Sequence, residues 1–176
     1  IGMLLEKLEK SGKLENTLII YFGDHGAQFS RGKTSVYEAG LRIPLILSWP
    51  GHMKKGTVST ELTSTLDVLP TILDAGGVKY PGKLSLPGKP LQPLMNAQKV
   101  PWRKYIVAQT NGSAPVLYFQ QHSIRDERYK LIISPVRNRP NLCANAYLHQ
   151  HNAHFIAGTD QKDIAASGKN IQKVYQ

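Results

Sequence analysis

The fold is decided by the stretch Thr17-Leu18-Ile19-Ile20-Tyr21-Phe22-Gly23-Asp24-His25-Gly26, where an apolar, β-prone run meets a polar turn. Consecutive apolar residues are typical of a strand that is buried on both faces. The run therefore predicts a central strand of a parallel sheet, covered on both sides by helices. Polar residues just past the carboxyl end of such a strand lie where open α/β sheets bind ligands. Asp24 and His25 are therefore the first candidate site residues.

Three more elements are predicted on either side of this strand. Residues 1–10 have the apolar spacing of an amphipathic helix, and Gly12 is a suitable residue to end it. Residues 44–49 form a second apolar run, which predicts another strand. Residues 67–77 are predicted to form a helix that Asp67 caps and two glycines end.

The composition changes after residue 78. Residues 79–101 contain five prolines and two glycines, which predicts a long connecting loop. Short β-prone segments separated by turn residues follow and predict a small antiparallel sheet. These segments are residues 105–109, 116–120 and 130–134.

The overall composition excludes several classes of protein. The chain has 176 residues, and no apolar run approaches the roughly 20 residues that a membrane span requires. The single cysteine, Cys143, excludes an intrachain disulfide framework, and a buried inert thiol is its default interpretation. The formal net charge of +10 favours anionic partners. Because the basic residues are scattered, they fit a solvated surface better than a nucleic-acid-binding stripe.

The adjacent carboxylate and imidazole of Asp24 and His25 can both reach one metal ion. Carboxylate oxygen suits hard cations, whereas imidazole extends the choice to zinc or manganese. The alternative is a polar turn in which His25 is hydrogen-bonded to the backbone. Lys33 is a candidate for holding the oxygens of a tetrahedral anion, with Arg31 competing for that role and a solvated loop lysine as the alternative.

The tail carries three histidines, His149, His151 and His154. They show neither a helical i, i+4 pair nor a known zinc spacing, which argues against a metal site. A cluster that faces the substrate or is simply exposed fits this spacing better.

Two segments, Asn16–Gly26 and Gly32–Gly51, together resemble the sulfatase family of the alkaline phosphatase superfamily. The shared order is a strand, an Asp-His pair, a basic residue, and then the motifs Tyr37-Glu38-x-Gly40, Arg42-x-Pro44-Leu45-Ile46 and Trp49-Pro50-Gly51. Thr65–Val78 resembles the Leu-Asp-x-x-Pro-Thr helix of that family, and Ile124–Ile133 resembles its Arg-Tyr-Lys-Leu-Ile strand. The spacing from Asp24 to Lys33 and residues 145–158 are similar to the sulfamidase (heparan N-sulfatase) branch.

The resemblance implies an α/β fold. Residues 1–78 would form part of a mixed sheet core flanked by helices, and residues 79–101 a connecting loop. Residues 102–176 would form a small C-terminal α+β subdomain with an antiparallel sheet. The resemblance also implies a formylglycine nucleophile made from cysteine or serine, a calcium ion that polarises the sulfate, and basic side chains that stabilise it.

Carried over by position, the resemblance assigns Asp24 and His25 to the metal and Lys33 to the sulfate. The weaker candidates for substrate binding are Arg31, His149, His151 and His154. His25 replaces a commoner asparagine, so Mn²⁺ or Zn²⁺ stays open beside Ca²⁺. The same pair resembles that of phosphate and phosphonate monoester hydrolases of the superfamily.

The nucleophile motif of the family, Cys or Ser followed by x-Pro-x-Arg, does not occur in the sequence. Cys143 lacks the proline two residues later, so no nucleophile is assigned. We therefore expect this chain to be a C-terminal part of a longer sulfatase and to be inactive alone. The longer protein is expected to be secreted, periplasmic or lysosomal and to act on a sulfated saccharide or another small sulfate ester. We expect no nucleic-acid partner and no membrane span.

Two alternative functions stay open at this point. One is a phosphate or phosphonate monoester hydrolase of the same superfamily. The other is a non-catalytic module that binds polyanions, either heparin-like chains or nucleic acid, through its net positive charge, with salt-sensitive affinity and no metal requirement.

Overall fold

The computed structural model describes residues 1–27, 32–112 and 118–136. This part of the chain has an α/β fold. Its helices are α1 (Gly2–Lys10), α2 (Glu38–Leu41), α3 (Val68–Ala75) and α4 (Gln92–Met95). Its strands are β1 (Ile19–Phe22), β2 (Leu45–Ser48), β3 (Ile106–Thr110), β4 (Gln121–Arg125) and β5 (Lys130–Ile133). Short 3-10 turns cover Leu14–Asn16 and Thr65–Asp67.

These residues divide into two compact units. The first unit combines Ile1–Phe22 with Pro44–Ile106, and the second combines the described residues of Gly23–Ile43 and Val107–Gln176. The segment 23–43, which holds Asp24 and Lys33, is therefore inserted in sequence between the two strands of the first unit. The predicted boundaries at residues 78 and 101 stay predictions.

Strands β1 and β2 pair antiparallel, in a register that runs from Ile19 opposite Ser48 to Phe22 opposite Leu45. The prediction of a parallel central strand covered by helices is wrong for the described residues. Tyr21 is 49% exposed and Phe22 is 41% exposed. An apolar run indicates that both faces of a strand are apolar, but it does not indicate the direction of the neighbouring strand. The sequence pattern therefore could not distinguish parallel from antiparallel pairing.

The predicted helices at both ends of residues 1–78 are confirmed. Helix α1 buries none of its residues. Helix α3 ends at Gly76, and Pro70 lies in its first turn, where a missing N–H is tolerated. Asp67 lies at the N-cap position of α3, as predicted, but its side chain makes no capping hydrogen bond to that helix. Ser64 is the capping residue of the preceding 3-10 turn, and the Asp67 carboxylate accepts a hydrogen bond from the Ser64 N–H at 2.8 Å.

The core of the first unit lies in the segment that was predicted to be a loop. Leu91, Leu94 and Met95 form a buried cluster around α4. The partly buried side chains that pack against it are Leu18, Leu45, Leu47, Trp49, Met53 and Trp102. A helix of four residues shows no periodicity in the sequence. Its proline is at the start of the helix, where proline is compatible with helical structure.

The fully buried carboxylate of Asp67 connects three segments of the first unit. It accepts hydrogen bonds from the backbone N–H groups of Ser64 and Lys89, both at 2.8 Å. The guanidinium of Arg103 donates to both of its oxygens, at 2.7 and 2.5 Å. This bidentate pair is the strongest form of ionic hydrogen bond.

Next to this pair, the hydroxyl of Thr71 accepts a hydrogen bond from the Leu91 N–H at 2.9 Å. The backbone approaches closely at Gly88, where a Cβ atom would lie 1.9 Å from the carbonyl oxygen of Leu66. Only glycine fits there, so the Pro-Gly sequence in this segment serves tertiary packing as well as chain reversal.

The three C-terminal strands lie in the order β3-β4-β5, and β4 pairs antiparallel with β5 from His122–Ile133 to Arg125–Lys130. The predicted strand at residues 116–120 differs from the structure. Residues 118–120 are not in a strand, β4 begins at Gln121, and residues 116 and 117 lie outside the described part.

The Asp67–Arg103 pair generates a stability prediction. Arg103→Met should lower the free energy of unfolding by about 3–5 kcal/mol, because it leaves a buried carboxylate without its counter-charge. Arg103→Lys should recover only part of this loss, since one ammonium cannot replace the bidentate fork. The measurement is urea denaturation of the purified chain, followed by circular dichroism.

The matched control for this prediction is Lys10→Met. It removes the exposed pair between Lys10 and Glu6 on α1 and should cost no more than about 0.5 kcal/mol. Equal, small losses for Arg103→Met and Lys10→Met would show that the buried pair does not hold the first unit together.

Candidate active-site loop

Asp24 and His25 come directly after β1 and Gly23, as predicted. The His25 N–H donates to Asp24 Oδ1 at 2.9 Å, and His25 Nδ1 lies 2.7 Å from the carbonyl oxygen of Gly26. A carbonyl oxygen can only accept, so Nδ1 is the donor of this hydrogen bond, and Nε2 is the ring nitrogen that faces Asp24. Nε2 lies 3.5 Å from Asp24 Oδ2.

These two donor atoms fit a shared cation. Calcium–oxygen bonds are about 2.3–2.6 Å long and zinc–nitrogen bonds about 2.0–2.1 Å, so atoms 3.5 Å apart can both reach one ion. The two interpretations of the turn are therefore compatible, because the backbone holds Nδ1 while Nε2 stays available. Within residues 1–27, 32–112 and 118–136 no group of three or more His, Cys, Asp or Glu side chains comes together. If Asp24 and His25 bind a metal ion, they would supply only part of its ligands.

Lys33 is brought back to the Asp24–His25 turn by its backbone. Its N–H donates to the carbonyl oxygen of Ala27 at 2.9 Å, and its side chain is half-buried. The competing candidate Arg31 lies outside the described residues. The same applies to Cys143 and to the histidines His149, His151 and His154.

Two glycines allow this segment to close on itself. The Gly26 N–H donates to the Gly40 carbonyl at 3.0 Å. A Cβ atom on Gly26 would lie 1.8 Å from the carbonyl oxygen of Ala39, and one on Gly40 would lie 2.4 Å from that of Gly32. These roles of Gly26 and Gly40 were not predicted from the sequence. The signal was present in the glycine after Asp24-His25 and in the glycine of the Tyr-Glu-x-Gly motif.

Strain is localised directly after Lys33. Thr34 has a φ of 68°, a left-handed conformation that a β-branched residue rarely adopts. Its hydroxyl donates to the Lys33 carbonyl at 2.6 Å. Such strain costs roughly 1–3 kcal/mol and persists only where neighbouring contacts enforce it. It occurs here beside the candidate sulfate-binding lysine.

Glu38, four residues after Thr34, is held by two basic side chains of the second unit. Its carboxylate accepts a hydrogen bond from Arg125 at 2.9 Å and pairs with the Lys130 ammonium. Lys130 also donates to the Val36 carbonyl at 2.9 Å. Burial by itself raises the pKa of Glu38. The hydrogen bond and charge of Lys130, with the charges of Arg125 and Arg42, outweigh burial and hold that pKa below its ordinary value.

The sulfatase family model matches residues 1–78, which contain the Asp24–His25 turn and Lys33. Residues 1–78 belong to the sulfatase family. The chain is 31% identical over 140 residues to N-sulphoglucosamine sulphohydrolase from Homo sapiens, covering 75% of this chain and 28% of that protein. It is 39% identical over 111 residues to N-acetylglucosamine-6-O-sulfatase from Bacteroides thetaiotaomicron, covering 59% of this chain and 20% of that protein.

A solved structure extends the similarity beyond residue 78. It holds a protein in complex with its substrate D-glucosamine-2-N,6-O-disulfate, with 30% identity and a TM-score of 0.65. The match covers 99% of this chain and 37% of that one. The sulfatase resemblance and the α/β fold are therefore confirmed, and the chain spans about a quarter of its curated relatives' length. The roles of individual site residues stay predictions.

No helix within the described residues is both long and apolar enough to cross a bilayer.

The glycine contacts predict the effect of adding a methyl group. Gly26→Ala and Gly40→Ala should each lower the free energy of unfolding by about 1–3 kcal/mol, because the new Cβ overlaps backbone atoms. Gly2→Ala is the control, since nothing lies within 4 Å of its Cβ position on α1. Denaturation curves of the three variants test this, and a neutral Gly26→Ala would contradict the close approach.

The lowered pKa of Glu38 predicts a dependence of stability on pH. In the unfolded chain the pKa of this carboxyl is near its ordinary value of 4.5, and in the folded chain the pKa is lower. The stabilisation is therefore fully present above pH 4.5 and is lost as the pH falls through the folded-state pKa. Glu38→Gln should remove this part of the pH dependence in denaturation experiments between pH 7 and 3. An unchanged pH profile in Glu38→Gln would contradict the prediction.

Proposed function

We propose that this chain is the metal-binding and sulfate-binding part of a hydrolase that acts on sulfate esters or sulfamates of sugars. The observation that carries the proposal is that residues 24–27 and 32–40 are joined by the hydrogen bonds Gly26–Gly40 and Lys33–Ala27. These residues combine an Asp-His pair with a lysine whose backbone returns to the same turn, inside a segment of the sulfatase family.

Asp24 Oδ2 and His25 Nε2 would hold a divalent cation, which we propose to be Ca²⁺, with Mn²⁺ or Zn²⁺ as the alternatives. When bound, the cation supplies Lewis-acid polarisation of the sulfate oxygens. The hydrogen bond from His25 Nδ1 to Gly26 orients the ring and selects its tautomer, the usual task of an outer partner in a metal site. We propose that the nucleophile is a formylglycine. The motif from which it would be made, Cys or Ser followed by x-Pro-x-Arg, does not occur in this sequence.

Lys33 would hold the non-bridging oxygens of the sulfate group as a compact positive charge. The bridging atom gains negative charge as the S–O or S–N bond breaks, and fixed positive charge near the sulfur lowers the barrier to that step. The half-buried position of Lys33 strengthens this effect, because less water screens the ammonium. The formal net charge of +10 suits an anionic substrate.

The substrate class is supported by the names of the relatives. One is named for N-sulphoglucosamine and another for N-acetylglucosamine 6-O-sulfate, and the solved neighbour holds a doubly sulfated glucosamine. We therefore propose an N-sulfated or O-sulfated amino sugar, with N-sulfoglucosamine as the favoured substrate. Arg31, His149, His151 and His154 remain the further candidates for contact with it. Secretion or a periplasmic or lysosomal compartment remains our prediction.

The phosphate or phosphonate monoester hydrolase is the second candidate, and the histidine at position 25 is what favours it. Matched sulfate and phosphate esters of the same sugar separate the two functions. A polyanion-binding module without catalysis predicts instead salt-sensitive binding without a metal requirement.

The first test is made in a polypeptide that contains residues 1–176 and carries a nucleophile motif. Lys33→Ala should lower kcat/KM for the sulfated sugar by about 10²–10³, as expected for the loss of one preorganised donor. Lys33→Arg should recover part of this loss, and Arg31→Ala, the matched basic neighbour, should cost much less. A preference for phosphate, or equal losses at positions 33 and 31, would overturn the assignment.

The second test concerns the metal. Asp24→Ala should abolish most of both the bound metal and the activity, whereas His25→Asn should keep much of both, because an amide oxygen still serves a hard cation. Metal content is measured by elemental analysis of the purified protein. Stoichiometric metal and a normal rate in Asp24→Ala would show that Asp24 is not a ligand. The 176-residue chain alone should not hydrolyse a chromogenic aryl sulfate above blank.

A further inference from the structure

Two motifs far apart in the sequence meet in the second unit. Lys130 belongs to the Arg-Tyr-Lys segment of β5, and Glu38 belongs to the Tyr-Glu-x-Gly segment of α2. The Lys130 side chain is only 14% exposed, and its ammonium contacts both the Glu38 carboxylate and the Val36 carbonyl. Arg125, on β4, binds the other oxygen of Glu38. Arg125 and Lys130, the basic side chains at the facing ends of β4 and β5, therefore both bind this one short segment.

That segment leads directly to Lys33. Val36 is fully buried and lies three residues after Lys33. Between them, Thr34 is strained, and both the N–H and the hydroxyl of Ser35 donate to the Gly32 carbonyl, at 3.2 and 2.8 Å. These contacts leave the backbone between Lys33 and Val36 little freedom to rotate. A hydrogen bond that holds the Val36 carbonyl therefore also fixes the position of the Lys33 backbone.

We infer that Lys130 is a positioning residue for Lys33, acting through the Val36 carbonyl and the Glu38 carboxylate. Lysine suits this task because one compact ammonium has three donors and can serve a carbonyl and a carboxylate together. Lys130 itself does not touch the substrate. The catalytic part of this inference rests on the proposed function of Lys33, whereas the ordering of the loop does not.

A double-mutant cycle tests the catalytic part in the active polypeptide that contains residues 1–176. Lys130→Met should lower kcat/KM by about 10–100-fold, the size expected when a catalytic group is misplaced by about 1 Å. In the Lys33→Ala background the same change should cost less than about threefold, because the group that it positions is gone. Lys130→Arg should restore part of the activity. Losses that multiply in the double variant would show a merely structural role and overturn the inference.

Arg128→Met is the matched control, since it removes an exposed positive charge from the same hairpin. It should change kcat/KM by less than about twofold, the scale of a surface substitution. A loss as large as that of Lys130→Met would assign the effect to net charge and overturn the inference.

Amide hydrogen exchange in the 176-residue chain tests the ordering part without any assay of activity. The amides of Lys33 and Gly26, bonded to Ala27 and Gly40, should exchange at least about tenfold faster in Lys130→Met, with smaller changes in β1 and β2. Uniform acceleration, or none at the loop amides, would overturn the inference. If the active polypeptide fails to hydrolyse sulfate esters, the proposed function fails, and hydrogen exchange still decides whether Lys130 holds the loop.

Discussion

A carboxylate with no exposed surface must find protein donors for its lone pairs, and Asp67 finds four. They come from the turn before α3, from the segment before α4 and from Arg103. Removing a charge from water costs several kcal/mol. If one of these segments moved away, the carboxylate would stay buried without its full set of donors, so the three segments are held together. The position of α4 follows, and with it the cluster of Leu91, Leu94 and Met95 that forms the core of the first unit.

The second unit does not depend on a fully buried ion pair. Its central carboxylate, Glu38, is partly exposed, and close backbone contacts at Gly26 and Gly40 provide much of the constraint. Carbonyl oxygens of the loop accept hydrogen bonds from Gly26, Lys33 and Lys130. The result is a tightly closed loop that can keep a strained residue, Thr34, beside a candidate catalytic lysine. Strain of this kind is consistent with a site that is organised before its substrate arrives.

The chemistry of the Asp24–His25 turn depends on one backbone contact. Because the Gly26 carbonyl accepts a hydrogen bond from Nδ1, Nε2 is the ring nitrogen that faces Asp24 Oδ2, 3.5 Å away. These two atoms are close enough for one cation to bind both, and the proposed metal site rests on this spacing. The chain spans about a quarter of the length of its curated sulfatase relatives.

The sequence by itself determined the features that depend on residues close together along the chain. Strand β1, the turn that follows it, helix α3 with its terminal glycines, and the sulfatase resemblance of residues 16–51 could all be predicted from local patterns. Only the tertiary structure decided that β1 pairs antiparallel, that the Asp67 carboxylate binds Arg103, and that Lys130 reaches Val36. The contact between Asp67 and Arg103 spans 36 positions of the sequence, and the contact between Val36 and Lys130 spans 94. The types of these residues do not specify which distant residue each will contact. Helix α4 was missed for the same reason, because it is stabilised by distant apolar side chains and not by its own four residues.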